Sequence, residues 1–429
     1  MRKISDTVHS DVLIIGGGSS GMCAAIAARK KARSCGFADK DFQVTILERN
    51  RRPGVKIGIS GGGKCNITHD GTVDELLEKG FFRKSEQRFL RHALYAFSNK
   101  DLLELLERQG LRTVVRYDGR VFPGSGRADD VLKVFERELE SSLIQVLKGE
   151  RVKRVENLNG VFRIMTETRE FSADMLVVAT GGVSYPQTGT QGDGLKIACS
   201  FGHKITKPLP ALAPIYLDNA PSRTLVGVSL RDVTLKVETD GNSVARTGDL
   251  LITHKGLSGP ACLSLSREVA EMRVEAGESR VMIDFFPNCS AETLGKKLQE
   301  HAFAKGGQLI RRFLQQQTTI PSSFVPLIMQ RSGIDQEEKW GNLTKKVRRS
   351  LEHVLQNFAF GLVKAIPLEA GEVSAGGVVL KEVSPKTMES KKCRNLFLCG
   401  ELLDYTGEIG GFNLQAAFST GWLAGWSVR

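Results

Sequence analysis

The chain has 429 residues, enough for about two to three domains of ordinary size. Hydrophobic residues make up 41%, charged residues 25% and aromatic residues 7%, values of a folded globular protein that exclude disordered, collagen-like and coiled-coil classes. A formal net charge of +12 favours anionic ligands such as phosphates, nucleic acid or acidic membrane surfaces without choosing among them.

Residues 11–16 form a short branched apolar run that stops at glycines, and residues 22–31 are alanine-rich and suited to a helix. A second strand over 43–47 ends in Glu48, after a polar surface connection at 34–41, which completes a βαβ unit. Residues 12–28 are uncharged and follow Arg2 and Lys3, as in a signal peptide. Six residues from Gly16 to Gly21 would break an apolar helix, however, and Asp6 and Asp11 sit on the wrong side. No other stretch reaches the roughly 18 apolar residues of a membrane span. Asn99 to Asp101 reads as a helix N-cap with Gly110 as the stop, and 131–139 as another helix. Asn159-Gly160 between 152–155 and 161–164 is a hairpin signal; the meander runs on through Phe171. Residues 175–179 are a buried strand ending at Thr180-Gly181-Gly182. Short strands with turns fill about 208–284, helical periodicity fills 291–358, and after Gly371 the strand pattern returns, with one more sheet strand at 396–400. The expected fold class is α/β: a Rossmann-like domain over 1–205, completed by 365–429 and interrupted by a β-rich part at 206–288 and a helical part at 289–364.

The eight cysteines contain no C-x-x-C pair and are too few for a disulfide scaffold, so a reducing cytoplasm is expected; the seven histidines show no zinc-type spacing. Gly16-x-Gly18-x-x-Gly21, with Ser19 and Ser20 inside it, lies between strand and helix, where amide N–H groups and the helix dipole meet a pyrophosphate. Glu48 at the strand end is placed to accept hydrogen bonds from an adenosine ribose. Arg49, Arg51 and Arg52 beside it leave FAD, NAD and NADP open on this residue alone. The stretch from Lys56 through Ser60, Gly61, Gly62, Gly63, Lys64, Cys65 and Asn66 is glycine-dense, as a backbone that approaches a flat or anionic ligand needs to be. Lys64 suits a pyrophosphate or flavin charge and Asn66 a ring edge, while Cys65, with no second cysteine near it, reads as packing rather than a redox thiol. Near the C-terminus, Gly400, Glu401, Asp404 and Gly411 precede a helix beginning near Asn413, Leu414 and Gln415, whose N-terminal dipole suits a group that gains an electron pair. Trp422 and Trp426 in that helix read as core.

With these glycine motifs, the sequence resembles the aminoacetone-oxidase-like and BaiN-like FAD-binding NAD(P)/FAD-dependent oxidoreductases of bacteria. The resemblance is carried by the Asp11-to-Gly21 fingerprint, the Lys56-to-Asn66 loop, Ala179-Thr180-Gly181-Gly182, Thr253-His254-Lys255-Gly256-Leu257-Ser258-Gly259-Pro260, Ala375-Gly376-Gly377-Val378 and Gly410-Gly411-Phe412-Asn413-Leu414-Gln415. It implies FAD held by a Rossmann-like domain with an inserted barrel-plus-helices domain. Glu48 would meet the adenosine ribose, the Ser60-to-Asn66 loop the flavin, Glu401 or Asp404 the ribityl and phosphate region, and the amides of 413–415 the pyrimidine edge. Arg49, Ala179, Thr180 and Gly181 join the implied cofactor set.

The function expected is a FAD-dependent oxidoreductase that moves a hydride between flavin and a small organic substrate of the amine or enone class. No second G-x-G-x-x-G follows a strand, so NAD(P)H would dock transiently in the substrate cleft, or O2 would serve as redox partner. His254 is the inserted unit's candidate for touching substrate, and Tyr185 is a neighbour of the flavin site without a catalytic role. FAD-dependent tRNA modification and a non-enzymatic FAD-holding module that binds nucleic acid or senses redox state rank below, because the basic residues are dispersed; no membrane partner is expected.

Overall fold

Residues 8–275 and 277–429 are described in the computed structural model; Arg2, Lys3 and Asp6 lie outside them. The chain divides into two compact units, one running to Leu209 and resuming over Glu372–Arg429, the other being Pro210–Gly371. Among the described residues no helix is long and apolar enough to cross a membrane.

The first unit begins with β1 (Val8–Ile15), α1 (Ser19–Ser34) and β2 (Val44–Glu48). Val12 to Ile14 are fully buried, as branched residues in a central strand should be. The polar connection to β2 is fastened by the buried Arg29, which donates to the carbonyls of Phe42 (2.6 Å), Asp39 (3.1 Å) and Leu143 (3.2 Å). Next come α2 (Val55–Gly63), β3 (Thr68–His69), α3 (Val73–Gly80), α4 (Lys84–Ala96) and α5 (Asn99–Arg108). The cap of α5 is Ser98, not Asn99: its hydroxyl accepts from Asp101 N–H while Asp101 accepts from Ser98 N–H, a reciprocal box. The chain continues through β4 (Thr113–Val115), β5 (Arg120–Pro123), α6 (Ala128–Ser141) and β6 (Gln145–Lys148) to the meander β7 (Val152–Leu158), β8 (Val161–Thr166) and β9 (Glu170–Val178). Asn159 and Gly160 both take positive φ, 54° and 93°, as a two-residue primed turn requires. α7 (Asp193–Ser200) and β10 (Ile205–Ala211) close this segment.

The second unit contains β11 (Ile215–Leu217), β12 (Ser229–Thr239), β13 (Asn242–Thr253), β14 (Gly256–Ser258), α8 (Pro260–Glu275), β15 (Arg280–Asp284), α9 (Ala291–Ala304), α10 (Ile310–Gln316), α11 (Val325–Ser332), α12 (Lys345–Gln356) and β16 (Phe358–Ala365). Six strands close a barrel in the order β11-β14-β13-β12-β15-β16. The sixth, β16, overlaps the end of the part at 289–364 read from sequence as helical. Phe358 and Val363 on it are buried, and it pairs with both β15 and β11. Phe285, Phe324 and Phe358 meet edge to face with centroids 5.5–5.7 Å apart.

The chain then returns to the first unit with β17 (Val373–Val378), β18 (Leu396–Leu398) and α13 (Phe412–Trp426). The main sheet runs β6-β2-β1-β9-β8-β7, with β18 beside the C-terminal half of β9. β6, β2, β1, β9 and β18 are parallel, so their C-terminal ends open on one side, which is where glycine turns must carry the chain out of the sheet. α13 packs on α1 at backbone distance: a Cβ on Gly421 would lie 2.1 Å from the Ser20 carbonyl oxygen, and one on Gly425 2.0 Å from that of Ala24. Trp422 stacks on Phe97 (4.3 Å), whereas Trp426, read as core, is 40% exposed beneath the Lys31 ammonium.

Candidate functional site

The first glycine motif follows β1. Gly16 (φ 103°) has no room for a side chain, since a Cβ would sit 2.6 Å from the Ala179 carbonyl oxygen; at Gly21 it would sit 1.8 Å from that of Gly16. Gly18 differs: it is the extended N-cap of α1, and a Cβ there would meet nothing within 4 Å. α1 has neither a side-chain cap nor an acid in its first turn, and its first intrahelical bond is Met22 N–H to Gly18 O, so the amides of Ser19, Ser20 and Gly21 precede the helix's own acceptors. An uncapped N-terminus beside open space matches a diphosphate. Ser20 contributes its amide only, because its hydroxyl is buried against Gly400.

Glu48, at the end of β2 and 5% exposed, accepts the Gly17 and Asn50 amides, each at 2.7 Å. Burial raises its carboxyl above the usual carboxylate range, against the opposing pull of those two amides. Both oxygens retain lone pairs for ribose hydroxyls. Arg49 is occupied by Gly189 O (2.9 Å), Asp193 (3.2 Å) and Gln191 (3.2 Å), and Arg52 by Asp129 and Glu136. Two of the three arginines that left the nucleotide open are therefore committed within the protein.

α2 is helical only as far as Ile59. Gly61, Gly62 and Gly63 are all left-handed, and Cys65 follows at φ 55°. Ser60 turns its hydroxyl back to Ile57 O (2.8 Å), while Lys64 is exposed. Cys65 is fully buried and its thiol is pushed up to about 11 by burial. Lys56, on the helical part, donates to Glu401 (2.7 Å) and to the buried Ser184 (2.7 Å); Glu401 also accepts from Ser184 (3.2 Å) and from the Ser374 amide (2.9 Å). A Cβ on Gly182 would fall 2.2 Å from the Ser374 hydroxyl and 2.8 Å from Glu401, so the second glycine motif lies directly against this cluster. Among the described residues the buried Thr180 hydroxyl beside it has no hydrogen-bond partner. Asp404, an alternative to Glu401 by sequence, is drawn away by Thr206 (2.6 Å).

At the start of α13, Gly411 (φ 90°) is the N-cap and touches Thr68, where a Cβ would meet backbone at 2.6 Å. With its amide oxygen turned toward Gly411, Asn66 accepts from Gly411 N–H (3.0 Å) and donates to Thr68 O (3.1 Å). The Asn413 side chain clamps Gly407 through both amide atoms (2.8 Å each). Gln415 is wholly buried and faces inward: it accepts from Thr68 (2.6 Å) and donates to Ser419 (2.9 Å), and its backbone N–H bonds to Gly411 O. The amides that precede the helix's own acceptors are thus 412–414 rather than 413–415, since Gln415 closes the first helical turn. His69 supports this turn, with Nδ1 3.2 Å from Gly410 O and its ring stacked on Phe412 (4.7 Å).

The structure therefore brings the 16–21, 48, 56–66, 179–182, 400–401 and 411–414 positions to one side of one sheet. His254 belongs to the other unit. It is exposed in the β13–β14 turn of the second unit, without a hydrogen bond among the described residues. Tyr185 is half-buried with φ 47°, and burial raises its phenol. Sequence reasoning missed Ser184, Ser374, Thr68 and His69. The available signal was weak: small polar residues inside otherwise buried apolar strands or directly behind a glycine pair.

The open position at Gly18, the uncapped α1, the buried carboxylate of Glu48 at the end of β2 and the uncapped start of α13 suit an extended FAD, and they mark a Rossmann-type flavoprotein. Residues 10–427 match the HI0933-like protein Rossmann domain. The chain is 32% identical over 421 residues to the 3-dehydro-bile acid delta(4,6)-reductase of Clostridium scindens, covering 96% of this chain and 97% of that one. It is 29% identical to the ribosomal RNA dihydrouridine synthases of Haemophilus influenzae (98% of each chain) and Escherichia coli (96% of each). In fold it is similar to a 3-ketosteroid delta1-dehydrogenase from Sterolibacterium denitrificans, with a TM-score of 0.51, 13% identity and 98% and 99% of the two chains covered. An E. coli quinol fumarate reductase chain gives 0.50 and 15%, over 99% of this chain and 70% of that one. The protein is an FAD-dependent oxidoreductase. It belongs to the HI0933-like family.

Proposed function

We propose that the protein reduces a carbon–carbon double bond conjugated to a carbonyl in a small substrate of the enone class, with NAD(P)H as the reductant. The observation that carries this reading is the 32% identity, across nearly the full length of both chains, to a relative named as a reductase of a 3-oxo bile acid with 4,6 unsaturation. The other two relatives are named for making dihydrouridine, whose parent ring likewise has a double bond conjugated to a carbonyl. Bound FAD, once reduced by NAD(P)H, would supply the hydride to the double bond. In this reading the α1 amides hold the diphosphate and Glu48 the adenosine ribose. The amides of 412–414 and the helix dipole behind them stabilise negative charge at the flavin's pyrimidine edge. Lys56, fixed by Glu401 and Ser184, supplies positive charge beside the second glycine motif. A single nucleotide fingerprint supports a nicotinamide donor that enters and leaves before the substrate binds. The second reading, reduction of a uracil ring within RNA, is favoured by the two relatives named as ribosomal RNA dihydrouridine synthases.

The test is anaerobic. NADH or NADPH should bleach the flavin, and a simple cyclic enone added afterwards should restore its colour faster than buffer does. If neither nicotinamide bleaches it while an amine does, the protein is an amine oxidase and the proposal fails.

A further inference from the structure

The hairpin of β4 and β5 has an unusual outer surface. β5 is the inner strand, hydrogen-bonded to both β3 and β4, and buries Val121, Phe122 and Pro123. β4 is the edge, with Val114 53% and Val115 49% exposed. The turn is closed by Gly119 N–H to Arg116 O and Arg116 N–H to Arg120 O, both 2.9 Å, and Gly119 takes φ 80°. At its tip Tyr117 is fully exposed, with no hydrogen bond or ring contact among the described residues. Together with the exposed Val114 and Val115, the Tyr117 ring forms a contiguous apolar edge suited to stacking against a partner.

The charge around the ring indicates what that partner is. Arg112 and Arg116 are both exposed on the hairpin, and the Arg116 guanidinium lies 4.1 Å above the Phe122 ring, which orients it without using its donors. Asp118 is paired with Arg120 (2.7 Å), Asp129 with Arg52 (2.6 Å) and Asp130 with Lys133 (3.5 Å), while Asp70 is exposed. Free arginine donors around an exposed aromatic edge are complementary to a phosphate backbone with unstacked bases. The back of the turn also reaches the flavin-facing helix. A Cβ on Gly119 would lie 2.5 Å from His69 Nε2, and His69 in turn holds Gly410 and stacks on Phe412, the first residue of α13.

We propose that the β4–β5 hairpin docks single-stranded RNA, with Tyr117 stacking on a base and Arg112 and Arg116 engaging phosphates, beside the α13 terminus; naming RNA rests on the uracil reading above. The test is fluorescence anisotropy of a labelled 12-nucleotide oligouridylate titrated with the FAD-loaded full chain. Tyr117→Ala should weaken binding by about 5-fold to 100-fold. Replacing Arg112 and Arg116 together by alanine should reduce the slope of log affinity against log salt by about 1.4, and the visible flavin spectrum should be unchanged in both variants. Arg312→Ala, an exposed arginine of the second unit, removes one equal charge and should leave affinity unchanged. No binding by the wild-type chain, a Tyr117→Ala affinity equal to wild type, or an equal loss from Arg312→Ala would each overturn the proposal. The flavin recolouring assay with enones reads the reductase proposal separately: a chain that reduces enones but does not bind oligouridylate fails here alone, and one that binds but reduces nothing fails there alone.

Discussion

Two glycines of one motif should fail in opposite ways when replaced. At Gly18 the backbone is extended (φ −78°) and a Cβ would meet nothing within 4 Å, so the folded chain has no objection to a side chain. Aspartate is a favoured N-cap, and Gly18→Asp should therefore keep or add stability in the FAD-free protein, by about a few tenths of a kcal/mol, so that its melting temperature does not fall. The same carboxylate would stand where the diphosphate is proposed to sit. Two unit charges about 4 Å apart at an effective dielectric of about 20 repel by about 4 kcal/mol, or about three decades of affinity. Gly21→Ala is the converse, since its Cβ would lie 1.8 Å from the Gly16 carbonyl oxygen. Backbone must shift, at a cost of about 3 kcal/mol or more, which lowers the melting temperature by about 6 °C at least. The assay pairs thermal melts of stripped protein with FAD titration followed by flavin fluorescence. FAD bound by Gly18→Asp with wild-type affinity, or a stripped Gly18→Asp that melts as early as Gly21→Ala, would refute the placement of the diphosphate.

Two further outcomes are expected. Cys65 is fully buried with its thiol pushed up to about 11, so native protein at neutral pH should resist iodoacetamide at this residue by mass spectrometry, and Cys65→Ser should keep flavin reduction within about twofold; rapid labelling or loss of reduction would make it a redox thiol. Lys56→Met strips Glu401 of its cation in a partly buried site and should cost about 1–3 kcal/mol in melts, with part of that recovered when Glu401→Gln is added; an unchanged melting temperature would show that the pair contributes nothing to stability.

The sheet was readable because its strands are buried on both faces and so appear as unbroken apolar runs: residues 12–15, 44–47 and 175–178 announce themselves. Glu48 and the glycine motifs were readable for the same reason, as abrupt ends to those runs. Side-chain partnerships across long sequence separations were not. Nothing near Glu401 in the sequence points to Lys56, Ser184 or Ser374, which reach it only because strand order brings β9, β17 and β18 together with α2. Gln415 carried the right motif, yet its amide group turned inward, since Thr68 and Ser419 satisfy it better than solvent. Strand register likewise assembles His9, Asp11 and Asp174, whose ligand-type atoms lie within 4.8 Å of one another though no spacing rule joins them.

The contact of Gly421 and Gly425 with the carbonyls of Ser20 and Ala24 has a consequence for how the protein comes into being. The helix proposed to present its amides to the diphosphate is seated by a helix made some 400 residues later on the ribosome, with the whole barrel unit synthesised between them. In that reading, loading of the coenzyme is a late event: a nascent chain that has already completed its barrel still lacks α13, which both seats α1 and carries the 412–414 amides of the proposed grip.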